Sequence, residues 1–159
     1  AREVAPRDAR AAEGLQAYET YAGPTAGYVE QAYWYDLLAG EDGKTLAMLR
    51  NAAADKGVVL RFDKGELPAF TQWKNTASIA DGYVTGLEPA TDYPNSKAFE
   101  RQQGRLMKIG PGETRRATLA IEVLDSAASV AATQGEIASL QQTAERQVHS
   151  APISKYSDL

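Results

Sequence analysis

The feature that most limits the fold of this chain is a series of short runs of β-forming residues between residues 28 and 88. Turn residues, mainly glycine, aspartate and proline, separate these runs. The runs are YVEQAYWYDLL at 28–38, TLAMLRN at 45–51, VVLRFD at 58–63, AFTQWKN at 69–75 and YVTGLE at 83–88. Strands at this spacing are typical of an antiparallel sandwich or barrel rather than of βαβ units. The glycine-bounded turn at 40–43 further predicts that the first two runs form a β-hairpin.

The remainder of the chain adds one more strand and a helix. RRATLAIEV at 115–123 alternates regularly, which places Leu119, Ile121 and Val123 on one face of a strand. The following segment is rich in alanine, glutamine and glutamate, and it predicts a helix over about 126–147 with Asp125 as its N-cap. We expect the last residues, APISKYSDL, to form a frayed tail.

These patterns predict an all-β fold with a helical end. Residues 1–124 are expected to form an antiparallel β-sandwich portion, and residues 125–159 a C-terminal helix and tail of the same domain. Near the N-terminus, Asp8 is expected to cap a short helix. The aromatic residues Tyr33, Trp34 and Tyr35 are expected to lie mainly in the core.

Composition excludes several classes of function. The 159 residues contain no cysteine and one histidine, so disulfides, thiolate zinc sites and multi-histidine metal sites are not available within the chain. A net charge of −4 does not indicate a basic surface that would bind nucleic acid or an anionic membrane. We expect a cytoplasmic protein that needs no organic cofactor and has no metal ligand within this chain, while metal dependence of the whole protein stays open. We expect His149 to be a solvated surface residue.

Glu88 is the best candidate for a catalytic residue. It ends a predicted strand and precedes Pro89, which favours an extended conformation at position 88. A carboxylate at a strand end beside a long loop can face a cleft, and partial burial there raises its pKa toward a value useful to a general base. The alternative is an ordinary rim glutamate that pairs with Arg101 or Arg105.

The order of motifs from residue 69 to residue 123 resembles the C-terminal part of galactose mutarotase-like proteins. In that family a strand ending in Leu-Glu precedes a Pro/Asn/Asp loop, a short strand, a Pro-Gly-Glu turn and a long final strand. Trp-Lys-Asn at 73–75, Gly-Leu-Glu-Pro at 86–89 and Phe-Glu-Arg at 99–101 resemble the aldose 1-epimerase-like branch in particular. Residues 1–68 fit the family more loosely.

The resemblance implies a sugar isomerase. In the family the glutamate of the Leu-Glu element takes the proton of the anomeric hydroxyl, and a histidine protonates the ring oxygen. Glu88 matches that base, in a sugar-sized hollow at the end of its strand. No residue of this chain matches the histidine, which precedes the corresponding region in the family.

The same resemblance suggests residues that bind the sugar. Family members line the pocket with the strand that precedes the glutamate strand, which here carries Phe70, Gln72 and Trp73. Alternation allows at most one of two sets to face the site, Phe70 with Gln72 or Trp73 with Thr71. The sequence is equally compatible with a position of Trp73 in the core. Arg101 and Arg105 are candidate ligands for a phosphate or an acidic sugar, although such residues are more often surface residues or partners of glutamate.

Three functions remain open at this point. The first is a mutarotase acting on a free or modified hexose, the second a carbohydrate-binding protein without catalysis, and the third a structural piece of a larger assembly. The expected partner is a small-molecule sugar, together with either a second copy of the chain or a segment preceding Ala1. If such a segment is missing, strands should lack neighbours and apolar surface should be uncovered.

Overall fold

A computed structural model describes residues 1–158, which contain eight strands and three α-helices. In chain order these are β1 (Glu3–Pro6), α1 (Ala9–Glu13), β2 (Gln31–Asp36), β3 (Lys44–Arg50), β4 (Gly57–Asp63), β5 (Ala69–Asn75), β6 (Val84–Ala90), α2 (Lys97–Gln102), β7 (Leu119–Leu124), α3 (Ala127–Gln141) and β8 (Gln147–Val148). The strands form a five-stranded sheet, β6-β5-β2-β1-β8, and a three-stranded sheet, β3-β4-β7. The predicted mostly β fold with a C-terminal helix is confirmed.

The register of the five-stranded sheet determines which side chains share a face. Ala5, Trp34, Thr71 and Glu88 are successive cross-strand partners from β1 to β6. They lie on the outer face, because the residues that alternate with them pack against the second sheet. On that inner face Phe70 stacks on Phe62 of β4, with ring centroids 6.2 Å apart. The inner face therefore forms the core of a sandwich.

The predicted hairpin between the first two β-runs is wrong. β2 pairs with β1 and β5, whereas β3 pairs with β4, so the chain changes sheets at residues 37–43. All five residues from Gln31 to Tyr35 are buried, which requires cover on both faces and a neighbour at each edge. The local turn at 40–43 is compatible with either pairing, and burial of the aromatic run decides between them.

Helix α3 covers the outer face of the three-stranded sheet. Val130 packs with Val59 and Leu124 in a small core cluster, and Arg61 donates hydrogen bonds of 2.6 and 3.1 Å to Glu136. The helix begins at Ala127 behind a capping box formed by Ser126 and Ser129, so the prediction of Asp125 as N-cap is wrong. It ends at Gln141, before the predicted position 147. At the other end of the chain, Asp8 caps α1 as predicted.

The C-terminal tail packs on the outer face of the five-stranded sheet and is not frayed. Tyr156 and Ser157 are buried, and Tyr156 joins a cluster with Trp34 and Tyr93. The ring centroids of Tyr93 and Tyr156 are 5.2 Å apart in an edge-on arrangement. The prediction of disorder fails because the tail supplies the cover that Trp34 needs on this face. Leu159 lies outside the described residues.

Strand β7 leaves apolar side chains in contact with solvent. It pairs with β4 on one side and forms an edge of the three-stranded sheet. Leu119, Ile121 and Val123 share one face, as the alternation predicted, and are 43%, 67% and 74% exposed. The face that they extend is the inner one, because Leu119 and Ile121 pair with Phe62 and Leu60 of the core.

Candidate functional site

Glu88 lies near the end of the edge strand β6, with its side chain on the outer face of the five-stranded sheet. The strand continues through Pro89 to Ala90, so Glu88 does not end it as the sequence predicted. Proline is tolerated there because β6 is an edge strand and needs no amide donor on its free side. Its cross-strand partner is Thr71 of β5.

The carboxylate of Glu88 folds back along the strand and rests over Gly86. A β-carbon at position 86 would overlap Oε1 of Glu88 and would lie 2.9 Å from Cδ and 3.1 Å from Cγ. The partner of Gly86 across the sheet is Trp73, so the carboxylate lies beside the base of that indole. A glutamate and an aromatic side chain are thereby brought together on one exposed face.

The environment of Glu88 differs from that of an ordinary surface glutamate. The side chain is exposed, yet the strand beneath it removes enough water to raise the pKa of Glu88 above its ordinary value. Burial is the cause, and within residues 1–158 Glu88 forms no ion pair, so the predicted alternative of a pair with Arg101 or Arg105 is wrong. A carboxyl of this kind is suited to general acid–base chemistry.

Trp73 is half-buried and is held by a neighbouring loop. Its indole nitrogen donates a 2.8 Å hydrogen bond to Oε2 of Glu30, and the other oxygen of Glu30 lies 3.7 Å from a guanidinium nitrogen of Arg7. These contacts hold the edge of the indole ring that faces the loop. Part of the ring remains in contact with solvent. An aromatic ring in this position can pack against the CH face of a sugar.

Phe70 and Gln72 lie on the inner face and do not share a site with Glu88. Phe70 is buried in the core, and Gln72 accepts a 2.7 Å hydrogen bond from Tyr35 while donating to Tyr18 and Tyr21. Their grouping with Glu88 is therefore wrong. Alternation separates them from Trp73 and Thr71, and the set that includes Trp73 is the one on the face of Glu88.

The two arginines after Glu88 have different environments. Arg105 makes two hydrogen bonds, of 2.6 and 2.7 Å, to the buried carboxylate of Glu100, and its guanidinium lies between the rings of Tyr93 and Phe99. Arg105 is thus a structural residue. Arg101 lies on the exposed side of α2, and its side chain has no hydrogen-bond or ion-pair partner within the described part of the chain.

The single histidine is far from Glu88. The prediction that it is a solvated surface residue is wrong. His149 follows β8, and its Nε2 lies 3.3 Å from Oε1 of Glu3. Four strand intervals separate β6 from β8, a distance of about 19 Å at the usual spacing. His149 therefore belongs to the contacts that hold the C-terminal tail.

Glu88 lines none of the three main cavities formed by residues 1–158. The largest of the three, about 1020 Å³, is lined on the five-stranded sheet by inner-face residues such as Gln72, Thr85 and Leu87, and elsewhere by strand β3 and by Ile137 and Gln141 of α3. The described residues alone therefore do not enclose the carboxylate of Glu88 in the sugar-sized hollow that was expected. Within the same range no three metal-binding side chains cluster, and no helix is both long and apolar enough to cross a bilayer.

Sequence reasoning missed two residues of this face. Gly86 belongs to the Gly-Leu-Glu-Pro motif, and a glycine inside a strand is itself a sign of close approach by another group. Glu30 was read as one residue of a strand, and no local pattern pairs it with Trp73, 43 positions later.

Two comparisons with known proteins found a match. A family described as a domain of unknown function (DUF4432) matches residues 1–123. The chain is 37% identical to a solved protein of Klebsiella pneumoniae subsp. pneumoniae MGH 78578, which is described as a candidate aldose 1-epimerase. The match has a TM-score of 0.91 and covers 96% of this chain and 40% of the other. The chain thus spans about 40% of that protein's length. No curated protein matches this chain.

Proposed function

We propose that this chain, which belongs to the DUF4432 family, is part of an aldose 1-epimerase-like sugar isomerase in which Glu88 is the general base. The observation that carries the proposal is the placement of Glu88 on the outer face, where its exposed carboxyl has a raised pKa and no ion-pair partner within residues 1–158. The likeness to the candidate aldose 1-epimerase supports the same class of activity.

The proposed reaction begins at the anomeric hydroxyl of a free or modified hexose. The Glu88 carboxylate takes the hydroxyl proton, the bond between the anomeric carbon and the ring oxygen breaks, and the ring oxygen takes a proton from an acid. The bond next to the new carbonyl rotates, and the ring recloses on the other face of the carbonyl. Both protons then return, so no net proton or electron is exchanged.

Trp73 is proposed to bind the sugar next to the base. Its half-exposed ring lies across the sheet from Gly86, the residue over which the Glu88 carboxylate rests. A sugar whose CH face packs on this ring would present its polar edge toward the carboxylate. Arg101 remains a proposed ligand for a negatively charged substituent.

The acid is proposed to come from outside this chain. His149 lies about 19 Å away at the opposite edge of the sheet and contacts Glu3. The chain spans about 40% of the solved relative, and we propose that the histidine acid and the remaining walls of the hollow lie in the rest of the protein. We place the reaction in the cytoplasm.

The test is the rate of anomer exchange. The natural full-length protein should accelerate the interconversion of α- and β-anomers of D-glucose or D-galactose, followed by polarimetry. Glu88→Gln should lower that rate by about 10²- to 10⁴-fold, the range of general-base catalysis, whereas Glu41→Gln at an exposed turn should leave it unchanged. Equal rates in Glu88→Gln and the parent protein would contradict the proposed role.

A second candidate function is carbohydrate binding without catalysis. It is favoured by the separation of His149 from Glu88, which leaves the base without a nearby histidine acid among the described residues. Isothermal titration calorimetry with the same sugars distinguishes the two functions. Binding that is lost in Trp73→Ala, with no acceleration of anomer exchange by the parent protein, would favour the second.

A further inference from the structure

We propose that Gly86 is a positioning residue that seats the carboxylate of Glu88 against the sheet. The inference deepens the proposed function and rests on it for its catalytic consequence. The positioning itself is a property of two side chains two residues apart on one strand, and it is measurable without any sugar.

The first observation is the space that Gly86 leaves. The end of the Glu88 side chain, from Cγ outward, lies over the α-carbon of Gly86, where a β-carbon would come within 2.9 Å of Cδ and would overlap Oε1. Real β-carbons do not approach other heavy atoms this closely, so any other residue at position 86 displaces the carboxylate.

The second observation is that the backbone does not need glycine at this position. Gly86 has no positive φ, and it pairs with Trp73 in the middle of a regular antiparallel ladder. Glycine in a strand costs about 0.5–1 kcal/mol relative to alanine, because its backbone loses more conformational freedom on folding. The space that glycine leaves for the Glu88 side chain is the structural reason for a glycine at position 86.

The third observation concerns the charge of the carboxyl. Burial raises the pKa of Glu88. The carboxylate lies over the Gly86 backbone, and we infer that this contact contributes to the burial. Within residues 1–158 no charged side chain contributes to the shift. A carboxylate displaced from this position would extend into water, and the pKa of Glu88 would fall toward that of an ordinary glutamate.

The displacement should leave the fold intact. The atoms that a new β-carbon would meet belong to the free end of a flexible side chain, and a rotation within Glu88 removes the conflict. Gly86→Ala should therefore fold normally while it moves the carboxylate. A purely structural glycine would give the opposite result, with lost stability and an unmoved carboxylate.

The experiment measures the pKa of Glu88 by carbon-13 NMR titration of the side-chain carboxyl, assigned by its absence in Glu88→Gln. In Gly86→Ala the pKa should fall toward that of an unperturbed glutamate. Gly135→Ala is the control, because Gly135 lies in α3 with open space around it, and it should leave the pKa of Glu88 unchanged. An unchanged pKa in Gly86→Ala would overturn the inference.

Activity gives a separate readout. If the natural full-length protein accelerates anomer exchange, Gly86→Ala should reduce the rate by about 10²-fold or more, the lower range of general-base catalysis. If the parent protein does not accelerate exchange but the pKa still falls in Gly86→Ala, the proposed function fails and the positioning role is supported.

A double variant covers the case in which Gly86→Ala does not fold. If the collision with Glu88 causes the failure, Gly86→Ala combined with Glu88→Ala should restore a cooperative thermal transition, because the second change removes the colliding atoms. A double variant that also fails to fold would overturn the inference.

Discussion

The indole nitrogen of Trp34 donates a 3.0 Å hydrogen bond to the hydroxyl oxygen of Ser157, although the two residues are 123 positions apart in the chain. Trp34 is completely buried on the outer face of β2, next to Thr71 in the cross-strand ladder that ends at Glu88. The C-terminal tail thus forms part of the same outer face as Glu88. Removal of the tail should affect both the stability of the protein and the site around Glu88.

Loss of the Ser157 hydroxyl should destabilise the protein. Ser157→Ala leaves the buried indole N–H of Trp34 without an acceptor, which costs about 1–3 kcal/mol. Chemical denaturation, followed by tryptophan fluorescence, measures the free energy of unfolding. Ser154→Ala is the matched control, because Ser154 is exposed and contributes only its backbone carbonyl to Gln103. Equal losses in the two variants would show that the Trp34 contact has no special role.

The Glu3 cluster should make stability depend on pH below 5. Burial alone would raise the pKa of Glu3, but hydrogen bonds from Lys155, Tyr156 and His149 outweigh it and hold the value at about 2. The folded protein therefore binds this proton less readily than the unfolded chain, whose glutamate titrates near 4.5. The resulting stability, on the order of 3 kcal/mol, is present above pH 4.5 and is lost as the pH falls toward 2.

A neutral variant tests this assignment. Glu3→Gln should be less stable than the parent at pH 7, and the difference between the two should shrink as the pH falls from 4.5 to 2. Glu41→Gln, at an exposed turn, should keep the pH dependence of the parent protein. Thermal melts at half-unit pH intervals provide the measurement, and a constant difference between Glu3→Gln and the parent would contradict the role of Glu3.

The proposed chemistry has its own pH signature. A general base acts in its charged form, and burial raises the pKa of Glu88 above the ordinary value of 4.5. The acid limb of kcat/KM for anomer exchange should therefore lie above pH 4.5, with the rate falling as the pH drops through the raised pKa. A rate that is independent of pH down to 4 would be inconsistent with Glu88 as the base.

Two buried threonines should respond in opposite ways to the same substitution. The hydroxyl of Thr71 is buried without a hydrogen-bond partner among the described residues, whereas that of Thr45 donates a 2.7 Å hydrogen bond to the carbonyl of Leu38. Thr71→Val should leave stability unchanged or raise it by about 1 kcal/mol, because it removes an unpaired polar group. Thr45→Val should lower stability by about 1–3 kcal/mol. A similar loss in both would indicate that Thr71 has a partner in solution.

The exposed face of β7 should promote self-association. Ile121 is 67% exposed on an edge strand whose other side has no neighbour within residues 1–158. Ile121→Lys should reduce association of this chain at high concentration, because an inward-pointing charge on an edge strand opposes pairing between chains. Ile79→Lys is the control, since Ile79 is 78% exposed in a short 3₁₀ turn outside the three-stranded sheet. Light scattering on a concentration series distinguishes them.

Local patterns predicted the elements of this fold better than their pairing. The run at 69–75 became β5 with the same bounds, and Asp8 caps α1. The failures are long-range: β2 joined β1 and β5 instead of the next strand, and the tail found Trp34. β1 itself went unpredicted, because its four residues contain a proline and depend on partners at 33–36 and 147–148.

The candidate site was predictable in part for the same reason. Alternation showed that Trp73 and Thr71 share one face and Phe70 and Gln72 the other, but it did not identify the face of Glu88. The register between β5 and β6, in which Thr71 pairs with Glu88, settles the matter. The contact between the Glu88 carboxylate and Gly86 depends on the rotamer of Glu88, which a sequence pattern does not predict.

The parallel pairing of β1 with β8 has a consequence for the order of folding. Glu3 and Val4 align with Gln147 and Val148, so the last edge of the five-stranded sheet closes a loop of more than 140 residues. A ribosome releases those partners about 140 residues after it has released β1, and until then the amide groups of β1 on that side face water. Such non-local closure is slow, and the sheet should therefore reach its final width only late in translation, with the β3–β4 hairpin forming well before it.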